Sequence, residues 1–284
     1  MKKTIYFFAL IFIISCKVID PEELVPAYIY IKDIKVNTQL NQGSSSDKIT
    51  DAWIYVNGNN IGIYEIPAKI PIHSEGNYEL EIFAGIKNSS LIPSLRMKYP
   101  FFTSFKKSMI FEKNKIDTLT PEVEYENDAQ IWVEDFEDPG IKFTSDSTSD
   151  TTLNITNLTA EVFEGNGSGK IIFEPHYLRF SAKTNEVSFN SFPKYGDPIM
   201  MELNYKGNAP ITIGIYRQNT TTSTPIKEPY YTLNPSINWN KTYLNLMTII
   251  TQFPNSKGFD IYIEVKQNTN SNAEVFLDNI KVIY

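Results

Sequence analysis

From Ala27 onward the chain consists of short apolar and aromatic runs cut off by turn residues, and its first half nowhere sustains a helical period. Ala27 to Val36 is rich in β-branched and aromatic residues, the types that pack well on a pleated surface. Asn57-Gly58 separates the runs Asp51 to Val56 and Ile61 to Ile66. Such a pair closes a hairpin, because both of its turn positions need positive φ. Between Asn77 and Ile82, Tyr78, Leu80 and Ile82 alternate with Glu79 and Glu81, the period of a strand with one wet face. Lys107 to Glu112 and Glu122 to Tyr125 read as further strands, so residues 26–126 are expected to form one β-sandwich. An abundance of Tyr and Phe, 17 and 18 copies, favours strands over helices throughout.

The second half repeats the pattern. Ile131 to Glu137 enters a turn, Ser145 to Thr152 is a polar loop, and Gly165 to Gly169 leads into a strand at Lys170 to Phe173. Ile199 to Tyr205, Ile211 to Tyr216, Tyr243 to Ile249, Phe259 to Val265 and Glu274 to Tyr284 follow. Seven or more short strands with turn signals between them predict a second sandwich or jelly roll over residues 127–284. Two all-β domains suit the length, since a domain takes ~150 residues.

The N-terminus gives an address. Lys2 and Lys3 precede an apolar run from Ile5 to Ile14, the plan of a secretory signal and too short for the ~20 residues that span a bilayer. The run closes on Ile13-Ile14-Ser15-Cys16, which resembles the lipobox of bacterial lipoproteins. That resemblance implies removal of residues 1–15, acylation of Cys16, and a tether over residues 16–25. More than one acyl chain makes such an anchor stable. Cys16 is the only cysteine, so no disulfide competes for it. Asp20, Glu22 and Glu23 resemble the acidic export signal of Bacteroidota surface lipoproteins, or else they are a solvated tether. The expected location is the outer membrane, facing the cell surface.

Asp135-Phe136-Glu137, the glycine-rich turn, Ile237-Asn238-Trp239 and Phe276-Leu277-Asp278-Asn279-Ile280 together resemble carbohydrate-binding-module jelly rolls over residues 128–284. The resemblance implies a structural calcium held by Glu137 and Asp278. The alternative is that both are ordinary strand-end carboxylates in water. Thr50-Asp51-Ala52-Trp53 and Tyr99-Pro100-Phe101-Phe102 resemble domains of Bacteroidota lipoproteins, a likeness that implies no activity.

Catalytic chemistry finds little to work with. His73 and His176 are the only histidines and fall in different expected domains, both in turn-like settings. Glu134, Asp135, Glu137 and Asp138 cluster, but neighbours along a strand point to opposite faces. A glycosidase pair held ~5 to 9.5 Å apart is therefore not suggested. Gly165 to Gly169 lacks the Lys-Ser/Thr ending of a phosphate loop and precedes a strand. A formal charge of −7 without a basic patch argues against nucleic acid. No enzyme and no required cofactor is expected.

Aromatic groups remain. Tyr99, Phe101, Phe102 and Phe105 lie in a proline-broken segment and form either an exposed docking patch or the lid of the first sandwich. Tyr230, Tyr231 and Trp239 form either a sugar-stacking platform or core. The main expectation is a binding or scaffolding lipoprotein, an accessory subunit of an outer-membrane complex for transport, assembly or secretion. The alternative is a carbohydrate-binding lipoprotein that captures glycan.

Overall fold

The computed structural model describes residues 25–73, 75–89, 95–185, 189–193, 195–218, 224–267 and 272–284. Cys16, Asp20, Glu22 and Glu23 lie outside the described residues. Among the described residues the fold is all-β, with one four-residue helix, α1 (Met247–Ile250).

The first sandwich runs β1 (Ala27–Ile31), β2 (Lys35–Asn37), β3 (Asp51–Val56), β4 (Asn59–Glu65), β5 (Ala68–Ile72), β6 (Gly76–Asn88), β7 (Leu95–Lys98), β8 (Phe105–Phe111), β9 (Ile116–Leu119) and β10 (Glu122–Glu124). One layer orders as β5-β1-β9 beside the pair β2-β10, and the other as β4-β3-β6-β7 with β8 also on β6. The Asn57-Gly58 turn joins β3 to β4 with φ of 47° and 76°, the left-handed pair its sequence demands. In β3, Ala52, Ile54 and Val56 are buried, so Asp51, Trp53 and Tyr55 lie on the opposite face.

The second sandwich comprises β11 (Ile131–Glu134), β12 (Phe143–Ser145), β13 (Leu153–Thr156), β14 (Ser168–Phe173), β15 (Arg179–Thr184), β16 (Met200–Gly207), β17 (Ile211–Arg217), β18 (Ile226–Leu233), β19 (Ser236–Asn245), β20 (Phe259–Lys266) and β21 (Ala273–Ile283). Its inner sheet orders as β13-β14-β21-β16-β19, with β11 also on β21; its outer sheet orders as β12-β15-β20-β17-β18. Every pairing in it is antiparallel.

Each sandwich has its own apolar core, yet the first core also takes in Met200, Tyr243 and Ile283 from the second. The first sandwich therefore sits on the solvent-side face of the inner sheet, and the outer sheet is left free. A buried polar cluster fastens this seam. Glu202, fully buried on β16, accepts the hydroxyls of Tyr99 and of Tyr125, the latter at 3.0 Å. Lys241 Nζ lies 2.7 Å from Glu202 Oε2, an ion pair by proximity rather than a well-directed hydrogen bond. Lys281 Nζ donates to the Ser44 carbonyl at 2.6 Å and to the Tyr125 hydroxyl at 3.2 Å. Tyr243 completes the seam by accepting the Lys48 N–H at 2.9 Å.

This seam corrects the expectation of an exposed aromatic patch. Tyr99, Phe101 and Phe102 are buried, and Phe105 packs half-buried against the first core. The Tyr99 ring lies 4.3 Å from Phe102 and 5.4 Å from Tyr243 of the second sandwich. The segment lacks strand alternation because it plugs an interface, not because it faces water.

Candidate binding face

The free outer sheet carries an unusual face. Along β20, Phe259, Ile261, Ile263 and Val265 enter the core, which turns Asp260, Tyr262 and Glu264 outward. On β17, Ile211, Ile213 and Ile215 point in while Thr212, Gly214 and Tyr216 point out. Register sets Lys183 of β15 and Gly214 of β17 on either side of Tyr262, and Lys227 of β18 opposite Tyr216. A Cβ at Gly214 would come within 2.5 Å of the Tyr262 ring, so glycine lets that phenol lie flat on the neighbouring strand.

A web of charge overlies this aromatic floor. Lys227 Nζ stands 4.2 Å from the Tyr262 ring centre and 2.7 Å from Glu264, whose carboxylate Arg179 also reaches at 2.8 Å. Lys183 pairs with Asp260 at 2.7 Å, and the Tyr216 hydroxyl donates to Asp146 at 3.0 Å. Burial, with Asp146 accepting its proton, pushes the Tyr216 phenol up to about 12. Burial and then Glu264 push Tyr262 higher still. Burial works to raise Glu264, yet Lys227 and Lys266 hold it below the usual carboxylate range.

Magnitudes decide how to read this layer. The cations are partly exposed but their carboxylate partners are buried, so desolvation offsets much of the attraction in each pair. Burying two carboxylates on the solvent side of a sheet is then a cost without a folding reason, the usual mark of a working surface. Chemically the face offers the half-buried Tyr216 ring beside one Arg and two Lys cations whose inward contacts go to Glu264 and Asp260, with Tyr262 buried beneath them. That combination suits an oxygen-rich ligand with an apolar side.

The residues expected from sequence are scattered. Tyr230 and Tyr231 pack against the second core, the Tyr230 hydroxyl donating to the Asn245 carbonyl at 2.7 Å. Trp239 lies on the inner sheet beside Phe163, 5.4 Å between ring centres. The three thus build no common platform. Glu137 and Asp278 do reach one cleft, together with Ser44, Asp135, Glu164 and Asn279. Glu137 is filled by the N–H groups of Asn166 and Gly167 and by the Asn166 side chain. Asp278, buried, accepts the Ser168 hydroxyl and the Asn279 N–H, and burial pushes its carboxyl up to about 7. The charge of this cleft suits a cation, but its oxygens already face donors. Among the described residues, no three His, Cys, Asp or Glu side chains gather to hold a metal. As placed, the pair does not fit calcium and fastens the glycine-rich turn instead. His73 and His176 are both exposed, one in each sandwich.

Arg179, Lys183, Tyr216, Lys227 and Tyr262 escaped sequence reading. A signal existed: Asp260, Tyr262 and Glu264 repeat at every second position of a strand whose other positions are all apolar.

No known family model and no curated protein matches the chain. Among solved structures it is similar to a mutant of the carbohydrate-binding module CBM29-2, at 15% identity over 55% of this chain and 85% of that one, with a TM-score of 0.35. Another mutant of that module, complexed with cellulohexaose, gives 16% identity, 55% and 91% coverage, and 0.35. The CBM22-1 xylan-binding domain from Paenibacillus barcinonensis Xyn10C gives 12% identity, 54% and 94% coverage, and 0.38. No residue role is carried over from these modules.

Proposed function

We propose that the protein is a non-catalytic, lipid-anchored binding protein of the outer membrane that captures glycan on the free outer sheet of its second sandwich. The observation that carries this reading is the layer of Arg179, Lys183 and Lys227 around the half-buried Tyr216 ring and above the buried Tyr262, on the sheet of that sandwich whose described residues take no part in the core of the first. The Tyr216 ring sets the apolar side of a sugar, and fixed N–H donors read its hydroxyls. The accessory-subunit reading loses its support, because the aromatic segment expected to dock a partner is inside the molecule. Anchoring through Cys16, with Asp20, Glu22 and Glu23 directing it to the cell surface, belongs to the same proposal.

The test is titration calorimetry of the full-length protein in detergent. Cellohexaose and xylohexaose, the kinds of ligand named for the solved modules, serve as first probes, followed by a glycan array. Tyr216→Ala and Arg179→Ala are expected to weaken a glycan that the wild type binds, with Trp239→Ala unchanged. Absence of any glycan ligand, or loss only with Trp239→Ala, overturns the assignment to this face.

A further inference from the structure

The first sandwich also bears aromatic rings on a solvent-facing sheet, and they are arranged around a lysine. On the outward side of β3 and β6, Trp53 stands opposite Phe83 in the register and Tyr55 one step along. All three are half-buried, on the face whose reverse holds Ala52, Ile54 and Ile82 in the core. Outward positions of an antiparallel sheet are ordinarily polar, so three large rings there need a reason. Gly85 supplies the first part of one. A Cβ at that position would come within 2.8 Å of the Trp53 ring nitrogen, so the indole rests directly on strand β6. This repeats, on a different sheet, the way Tyr262 rests over Gly214.

Lys98 supplies the second part. Its Nζ lies 3.9 Å from the centre of the Phe83 ring, 4.2 Å from Tyr55 and 5.5 Å from Trp53. Neighbouring cations on this face are neutralised: Arg96 by Asp51 and Glu65, Lys87 by Glu65, and Lys106 by Glu81. Lys98 forms no ion pair among the described residues; it is held by rings and by the Tyr55 hydroxyl. An ammonium over aromatic faces keeps its full charge while losing part of its water, which leaves it ready to exchange a π contact for an anion.

We infer that the Trp53–Tyr55–Phe83 face with Lys98 at its centre is a second binding site, for an acidic polysaccharide whose sugar rings carry carboxylates. The indole takes the apolar face of a sugar ring, and Lys98 takes the carboxylate of that ring or the next. The site is independent of the face on the second sandwich, since the two share no residue.

Affinity electrophoresis of the full-length protein in detergent, with polygalacturonate cast in the gel and neutral xylan as the control polymer, tests the inference. Polygalacturonate is expected to retard the wild type more than xylan does. Lys98→Met, which keeps the apolar stem and removes the charge, is expected to weaken that binding roughly tenfold. Trp53→Ala should weaken it as well, and circular dichroism checks that this variant folds. Arg179→Ala, on the other sandwich, should leave it unchanged. Three results overturn the site: no retardation of the wild type by polygalacturonate, equal binding by Lys98→Met, or loss of binding with Arg179→Ala alone. Only the last of these would at the same time strengthen the reading of the second sandwich.

Discussion

Replacing Glu202 with Gln tests whether the buried cluster truly fastens the two sandwiches. Glutamine keeps the shape and removes the negative charge paired with Lys241 and strongest on Lys281, which are 4% and 0% exposed. Breaking a buried pair from one side costs ~3–5 kcal/mol, because the remaining charge has neither water nor a partner. Here Lys241 loses its counter-ion, and Lys281, already held down to about 8 by burial, loses the pull of Glu202 and keeps only the Ser44 carbonyl and the Tyr125 hydroxyl. A loss near the upper end, about 5 kcal/mol, is therefore expected. For a chain of this size that corresponds to a fall in Tm on the order of 10 °C. Tyr99 and Tyr125 donate to Glu202 from the first sandwich, so the seam should loosen as well. Urea unfolding followed by tryptophan fluorescence should show the transition broadening or splitting in two, and proteolysis between residues 126 and 130 should quicken. In a double-mutant cycle, Lys241→Met should make the Glu202 change ~1–3 kcal/mol less costly. A Glu202→Gln protein within 1 kcal/mol of wild type, with an unchanged single transition, would falsify the claim that this cluster joins the sandwiches.

Further expectations follow from the same seam and from the proposals. Lys281 has a folded-state pKa of about 8 against an ordinary 10.5, so from pH 8 to about 10 the unfolded chain binds more protons and stability rises with pH. Above pH 10 the trend reverses, because burial keeps Tyr99, Tyr125 and Tyr243 protonated only in the fold. Thermal melts across that range should show the rise in wild type and lose it in Lys281→Met; a flat wild-type profile refutes it. Melting in calcium and in chelator should coincide, given how Glu137 and Asp278 are engaged, and a gain of several degrees in calcium would restore the ion expected from sequence. Cys16→Ser should leave unacylated precursor, and protease added to intact cells should shave the wild type but spare a protein with Asp20, Glu22 and Glu23 all changed to Ala. Normal membrane retention of the Cys16 variant would remove the lipoprotein reading.

What was legible in the sequence was local. Strand alternation and the Asn57-Gly58 turn act over a few residues, and the all-β architecture follows from them. What was not legible depends on contacts far apart in the chain. Nothing near Tyr99 announces that Glu202, 103 residues later, will accept its hydroxyl. Without that contact, a proline-broken aromatic segment looks like surface. For Tyr230 and Tyr231 the choice between platform and core was open in the sequence, and the core alternative holds: a register shift between Ile213 and Gly214 sets which positions of β18 meet it. Asp260, Tyr262 and Glu264 were readable as one row, but their partners Lys183, Arg179 and Lys227 come from two other strands.

The seam has one more effect, on how a long ligand would experience the molecule. Two sandwiches joined only by a linker would sample many separations. These two share a core and a buried ionic cluster, which holds the Trp53 face and the Tyr216 face at a constant spacing. A mixed polymer, with acidic sugars for the Trp53 face and neutral ones for the Tyr216 face, meets the second face at an effective concentration set by geometry, and gains nothing until it is long enough to bridge. Avidity should then rise in a step at one chain length, so that the protein gauges the length of what it holds.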